Sequence, residues 1–184
     1  MELLKLGANP SLYDPTCDSS LTLAIKLNDD CDLFYIKELL KYDADLNPGF
    51  FQICNFSYDP LLQTIFSFNQ AENEACCIAI LELITTKMQK VDLNQFNDDE
   101  HYKENIIYFC LKKGNMTALK YFIVDLKCKV PDKIYIDPMI LKGYMNYIDL
   151  RDVLEHRSYD FERGYREKAK NEILAVIKER KVYP

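Results

Sequence analysis

Two histidines, His101 and His156, are the whole supply of imidazole for acid–base work near neutral pH. Seven cysteines stand at Cys17, Cys31, Cys54, Cys76, Cys77, Cys110 and Cys128, with neither a CxxC pair nor a GxSxG elbow in the chain. Cysteine–histidine catalysis needs the two side chains adjacent in space, which separation along the chain does not report. Cys110 falls on the apolar face of a predicted helix and reads as core. The pair Cys76-Cys77 offers one exposed thiol, but nothing beside it in sequence is arranged to lower its pKa. Two acidic clusters remain, Asp29, Asp30 and Asp32, then Asp98, Asp99 and Glu100 beside His101. A calcium loop alternates its oxygen ligands over about twelve positions around a central glycine. Neither cluster does so, and both read as solvated turns. The glycines, at Gly7, Gly49, Gly114, Gly143 and Gly164, stand singly, so no loop is built to cradle phosphate. The expectation is a protein that is not an enzyme, with no catalytic residue, metal or cofactor. The competing reading is an enzyme, or a fragment of one, on a helical scaffold. It requires a pocket joining His101 or His156 to a cysteine or carboxylate.

Charge narrows the partners. The chain carries 23 Lys plus Arg against 29 Asp plus Glu, a net of −6. From Arg151 onward nine basic residues face seven acidic ones, which leaves −8 on residues 1–150. An acidic body opposes phosphate backbones, so nucleic acid is not expected. In the basic tail, Glu167, Glu172 and Glu179 dilute Arg166, Lys168, Lys170, Lys178, Arg180 and Lys181, the mixture of a solvated helix face. No apolar run approaches the length of a membrane span. The start, Met1-Glu2-Leu3-Leu4-Lys5, lacks the basic-then-apolar profile of a secretion signal. With an odd cysteine count and apolar neighbours, this predicts reduced, buried thiols and a cytoplasmic protein.

The elements that must position these residues repeat. Leu3-Leu4-Lys5-Leu6-Gly7-Ala8-Asn9 returns as Leu39-Leu40-Lys41-Tyr42-Asp43-Ala44-Asp45, 36 positions later. Weaker copies lie at Leu83-Ile84-Thr85-Thr86 with Val91-Asp92-Leu93-Asn94, and around Leu119-Lys120-Tyr121-Phe122. A second phrase begins at Ser19, Asp59 and Asn105, with an apolar residue third (Leu21, Leu61, Ile107) and a small one sixth (Ala24, Thr64, Cys110). A polar or proline start followed by apolar residues at helical spacing is a helix N-terminus. Helix pairs follow. Leu21, Ala24 and Ile25 face Phe34, Ile36, Leu39 and Leu40. Leu61, Leu62, Ile65 and Phe66 face Cys77, Ile80, Leu81 and Ile84. Ile107, Cys110 and Leu111 face Ala118, Phe122 and Ile123. A degraded last pair is predicted over Pro138 to Tyr147 and Leu150 to His156. Phe161, Tyr165, Ala169, Ile173 and Ile177, four apart, make the tail an amphipathic helix, either a cap on the last pair or a surface for a partner or membrane.

These phrases resemble the ankyrin repeat, whose first helix opens Thr-Pro-Leu-His-x-Ala and whose second ends Leu-Leu-x-x-Gly-Ala-Asp-x-Asn. Leu39 to Asn47 is the best match and Leu3 to Asn9 the next. Lys113-Gly114-Asn115 resembles the turn between the two helices. The likeness covers about residues 1 to 136, and thinly to about 157. It departs in its spacings, longer than the roughly 33-residue period, and in lacking the full Thr-Pro-Leu-His string. The chain begins at a second helix, as a fragment of a longer array or a half-unit cap would. The resemblance implies an all-α solenoid of about three divergent repeats with partial units at the ends, residues 1–157, closed by a helical cap, residues 158–184. It also implies binding through loop tips and the concave helix face. Drifted ankyrin proteins are frequent among effectors of intracellular bacteria and among large DNA viruses, which implies action in a host-cell cytosol.

The loop Pro48 to Asp59 concentrates aromatic residues. Phe50, Phe51, Phe56 and Tyr58 suit an interface, since aromatic side chains dominate binding hot spots. They suit equally an enlarged core. Tyr13, and Phe96 with Asp98 and Asp99, occupy matching places in neighbouring loops and join the same face. An acidic face of this kind favours a protein partner with a basic surface.

Overall fold

The computed structural model describes residues 2–13, 18–46, 60–68, 71–88, 106–130, 134–135, 147–155 and 164–182. They are mainly helical and fall into two compact units. Unit 1 comprises residues 1–68 and 72–90, and unit 2 comprises residues 69–71 and 91–184.

Unit 1 holds α1 (Glu2–Lys5), α2 (Ser20–Lys26), α3 (Phe34–Lys41), α4 (Pro60–Ser67) and α5 (Glu74–Lys87). The starts follow the sequence signals. The Ser19 hydroxyl caps α2 by accepting from the Thr22 amide at 3.1 Å, which satisfies one of the N–H groups that a helix start leaves over. Pro60 is the first residue of α4, where its missing N–H costs nothing. The α2 helix packs on both α3 and α4, while α5 packs on both α4 and α3. Two helix pairs thus lie one on the other, first helix against first and second against second. Leu21, Ile25, Ile36, Leu61, Ile65, Cys77, Ile80, Leu81 and Ile84, each at most 2% exposed, form the core between them.

The repeated phrase has a structural counterpart. At the end of α1 the Ala8 amide donates to the Leu3 carbonyl and the Gly7 amide to that of Leu4. At the end of α3 the Ala44 amide donates to Leu39 and the Asp43 amide to Leu40. Both are the same left-handed helix termination, with Gly7 at φ +89° and Asp43 at φ +57°. The Asp45 amide then donates to the Ser11 hydroxyl at 2.9 Å, tying the two turns together across 34 positions.

Unit 2 holds α6 (Ile106–Lys113), α7 (Met116–Lys120) running into a π-helical turn (Tyr121–Asp125), β1 (Ile134–Tyr135), β2 (Tyr147–Ile148), α8 (Leu150–Glu155) and α9 (Gly164–Val182). The α6 helix ends at Gly114 in the same way, with Asn115 donating to Cys110 and Gly114 to Leu111. Asn115 then caps α7 through its side-chain oxygen, which accepts from the Ala118 amide at 2.9 Å. The α9 helix lies against α7, the π turn and α8, burying Ala169, Ile173, Leu174 and Ile177. Its ion pairs follow the same contacts, Glu172 to Lys120 at 2.7 Å and Lys178 to Glu155 at 3.8 Å.

Three expectations are corrected. Phe34 is 52% exposed rather than part of the α3 core stripe, because it stands two positions before buried Ile36 and so about 200° around the helix. Tyr147 belongs to a two-residue strand, paired antiparallel with Tyr135, rather than to a helix; alternating Ile and Tyr suit an extended chain. The thiols are not all reduced. Cys31 and Cys76 form a disulfide with Cα atoms 5.6 Å apart, since the stacking of the pairs brings the turn before α3 onto the first turn of α5. Cys77, Cys110 and Cys128 are buried thiols, as expected. Among the described residues no helix is long and apolar enough to cross a membrane.

Candidate functional site

Most residues singled out for partner binding, Phe50, Phe51, Phe56, Tyr58, Phe96, Asp98 and Asp99, lie outside the described residues, as do His101 and His156. Tyr13 is described. It forms an isolated antiparallel bridge with Ser19 and is partly buried. Burial first, then the Asp45 carboxylate, pushes its phenol above the ordinary tyrosine range, so the ring stays neutral. Cys76 and Cys77 are both buried, so neither is the exposed thiol that the pair could supply. Asp29, Asp30 and Asp32 lie in an exposed turn, where an Asp32 carboxylate oxygen accepts from the Phe34 amide at 2.9 Å and leads the chain into α3. Among the described residues no three His, Cys, Asp or Glu side chains converge to hold a metal ion.

A concave feature among the described residues of unit 1 lies elsewhere. A groove of about 560 Å³, open to solvent, runs between α3 and α5 and is lined by Leu33, Lys37, Leu40, Lys41, Ala79, Glu82, Leu83, Thr86 and Lys87. Helical spacing explains this membership. Leu33, which caps α3, and Lys37, Leu40 and Lys41 on it sit at i, i+4, i+7 and i+8, and on α5 the lining residues sit at i, i+3, i+4, i+7 and i+8, so each helix offers one continuous face. The opposite face of α5, with Cys76, Cys77, Ile80, Leu81, Ile84 and Thr85, is the one buried in the core. Buried Leu40 forms the floor, and half-buried Leu33, Ala79 and Leu83 form apolar walls. Lys37, Lys41, Glu82, Thr86 and Lys87 are exposed along the rim.

The groove is polar at one end. Cys31–Cys76 joins the approaches to the N-terminal ends of α3 and α5, so Leu33 and Ala79 occupy the clamped end. Lys41 and Lys87 stand in the last turns, where each also favours the negative end of its own helix dipole. Lys41 pairs with Glu38 at 3.7 Å and lies 5.9 Å from the centre of the Tyr42 ring. Lys37 and Lys87 enter no ion pair among the described residues. Three lysines against one glutamate make this lining basic. Yet unit 1 as a whole has six lysines against thirteen carboxylates, a net of −7. Half of its cations line one groove.

Sequence reasoning missed this groove. The two matched faces were visible at 33–41 and 79–87, but lysines on a helix exterior read as solvated, and only the stacking of the pairs sets them opposite each other. It also missed an exposed aromatic pair, Phe34 and Tyr35, stacked edge to face at 5.4 Å. No family model, curated protein or solved structure matches the chain.

Proposed function

We propose that this chain is a protein-binding module of ankyrin type, an irregular solenoid of helix pairs, and not an enzyme. One observation carries the reading: in unit 1 the pairs α2/α3 and α4/α5 stack like on like, with α1 and α3 ending in the same way 36 positions apart. A helix pair of this kind cannot hide its apolar face alone, so stacking is its means of stability, and its loops and outer faces are left for recognition. The described cysteines support the same reading, because Cys77 and Cys110 are core residues with 0% exposure and Cys76 is cross-linked.

In this reading the loop aromatics Phe50, Phe51, Phe56 and Tyr58, with Tyr13, Phe96, Asp98 and Asp99, engage a protein with a basic surface. The test is affinity capture with the intact chain and with a Phe51→Ala/Tyr58→Ala variant, followed by mass spectrometry and a thermal melt. Loss of specific partners at unchanged melting temperature supports the module. A variant that unfolds makes these rings core, and a chain that captures no specific protein overturns the reading.

A further inference from the structure

We propose that the groove between α3 and α5 is a docking site for an acidic, amphipathic helical segment of a partner protein. This goes beyond the aromatic loops, since it concerns a basic groove among the described residues of unit 1 and a partner of the opposite charge.

Shape sets the size of the occupant. From Leu33 to Lys41 the groove wall spans eight residue-to-residue steps, about 12 Å at 1.5 Å each, which matches roughly two turns of a docked helix. An occupant of this length presents two or three apolar side chains at i, i+3 or i+4, and i+7, the register of helix-in-groove recognition. Leu33, Leu40, Ala79 and Leu83 supply the apolar surface to receive them.

Charge sets its chemistry. Lys37, Lys41 and Lys87 stand on the rim, and only Glu82 among the lining residues opposes them. In a unit of net −7 this local excess of ammonium groups selects carboxylates at short range while the rest of the surface rejects polyanions. Leu33 and Ala79 lie toward the disulfide, while Leu40 and Leu83 carry the apolar surface on toward Lys41 and Lys87, so the occupant's leucines run along the groove and its carboxylates flank them on the rim. The disulfide holds the two helix approaches together before any partner arrives, which reduces the ordering cost of binding. A single-stranded nucleic acid fits poorly. Its phosphates gain nothing from the leucine floor, no aromatic side chain lines the groove for base stacking, and the surrounding field repels it.

The test uses the full chain and a labelled helical peptide of about fifteen residues, with leucines at i, i+4, i+7 and i+11 and glutamate and alanine elsewhere. Fluorescence anisotropy gives the affinity, and amide chemical shifts locate the site. The expected result is saturable binding that perturbs residues 33–41 and 79–87. Lys37→Gln/Lys87→Gln should weaken it several-fold, and Lys37→Glu/Lys87→Glu by ten-fold or more. Lys5→Glu, on the exposed α1, should change it less than two-fold. Lys37 and Lys87 are exposed, so circular dichroism of the variants should match that of the parent. The proposal is overturned by any of four results: no binding; equal binding of the same peptide with lysine in place of glutamate; indifference to the Lys37/Lys87 substitutions; or tighter binding of a single-stranded oligonucleotide lost in the same variants. None of these bears on the Phe51→Ala/Tyr58→Ala result, so the two proposals fail separately.

Discussion

Asp43 closes α3 at φ +57°, in the conformation where a Cβ crowds the backbone and glycine suffers no penalty. Gly7 does the same work at the end of α1, with φ +89° and nothing within 4 Å of where a Cβ would point. Replacing Asp43 by Gly should therefore stabilise unit 1 by about 0.5–1 kcal/mol, read as a higher midpoint in urea at unchanged slope. A lower midpoint would mean that the Asp43 carboxylate does more for the turn than its backbone costs. The recurrence of this turn was legible in the sequence because it is local: Leu-Leu-x-x-Gly-Ala and Leu-Leu-x-x-Asp-Ala differ at one position, and both stretches turn left there. Other residues were not legible for an equally physical reason. Phe34 carries the same apolar label as Ile36, yet two positions along a helix put them on nearly opposite sides, and composition does not say which side meets the core. Tyr13 reads as a loop-tip aromatic. It is partly buried and bridged to Ser19, close in sequence to the Ser11 hydroxyl that accepts from the Asp45 amide, and a loop position alone does not encode that burial. Its raised pKa implies stability that is present below the ordinary tyrosine range and lost as pH rises through the folded value.

Two cross-links fasten elements that propensity alone would leave adjustable. Cys31–Cys76 closes a loop of 45 positions, for which chain entropy gives an upper figure of about 4 kcal/mol. Cys31→Ser/Cys76→Ala should lose about 2–4 kcal/mol in urea denaturation, and a dithiol reductant should lower the parent by a similar amount. Peptide mapping without reduction should recover residues 31 and 76 in one linked product; alkylation of both thiols in the folded protein would refute the pairing. Nothing in the spacing of seven cysteines points to this pair, because it is made by stacking and not by neighbourhood along the chain. The second fastening is Lys120–Glu172, between α7 and α9. Its hydrogen bond to Lys120 is the main cause holding the Glu172 carboxyl below the ordinary glutamate range, so its stabilisation is complete above that range and lost as pH falls through the folded value. Both partners are about a third exposed, so the effect is small, about 0.5 kcal/mol. Lys120→Met should move the Glu172 titration, followed by carboxyl NMR, back toward the ordinary value and flatten this part of the acid profile. An unchanged titration would show that the pair does not hold in solution. The tail's stripe at Ala169, Ile173 and Ile177 was readable from its four-residue period, whereas its choice of α7 and α8 as partners depends on packing that no local signal encodes.

At the scale of the molecule the charge is unevenly shared: unit 1 carries a net of −7, while the seventeen basic and sixteen acidic residues of unit 2 leave it at +1. The groove in unit 1 is thus a basic feature inside an acidic field, and the two act over different distances. At an ionic strength of about 0.01 M the Debye length is about 30 Å, comparable to a small domain, so an approaching acidic peptide feels the repulsion of all thirteen carboxylates of unit 1. At about 0.1 M it shrinks to about 10 Å, and that repulsion fades before Lys37, Lys41 and Lys87 come within reach of the peptide. At about 1 M the local attraction is screened as well. The association rate of the acidic peptide should therefore rise from low to moderate salt and fall again at high salt, in stopped-flow fluorescence. A basic peptide meeting the acidic face should slow throughout the same series, because for it the long-range and contact terms have the same sign. A rate for the acidic peptide that falls from the lowest salt onward would mean that the groove's lysines dominate at long range. A rate that only rises would mean that they contribute nothing to capture, and that the apolar floor alone holds the peptide.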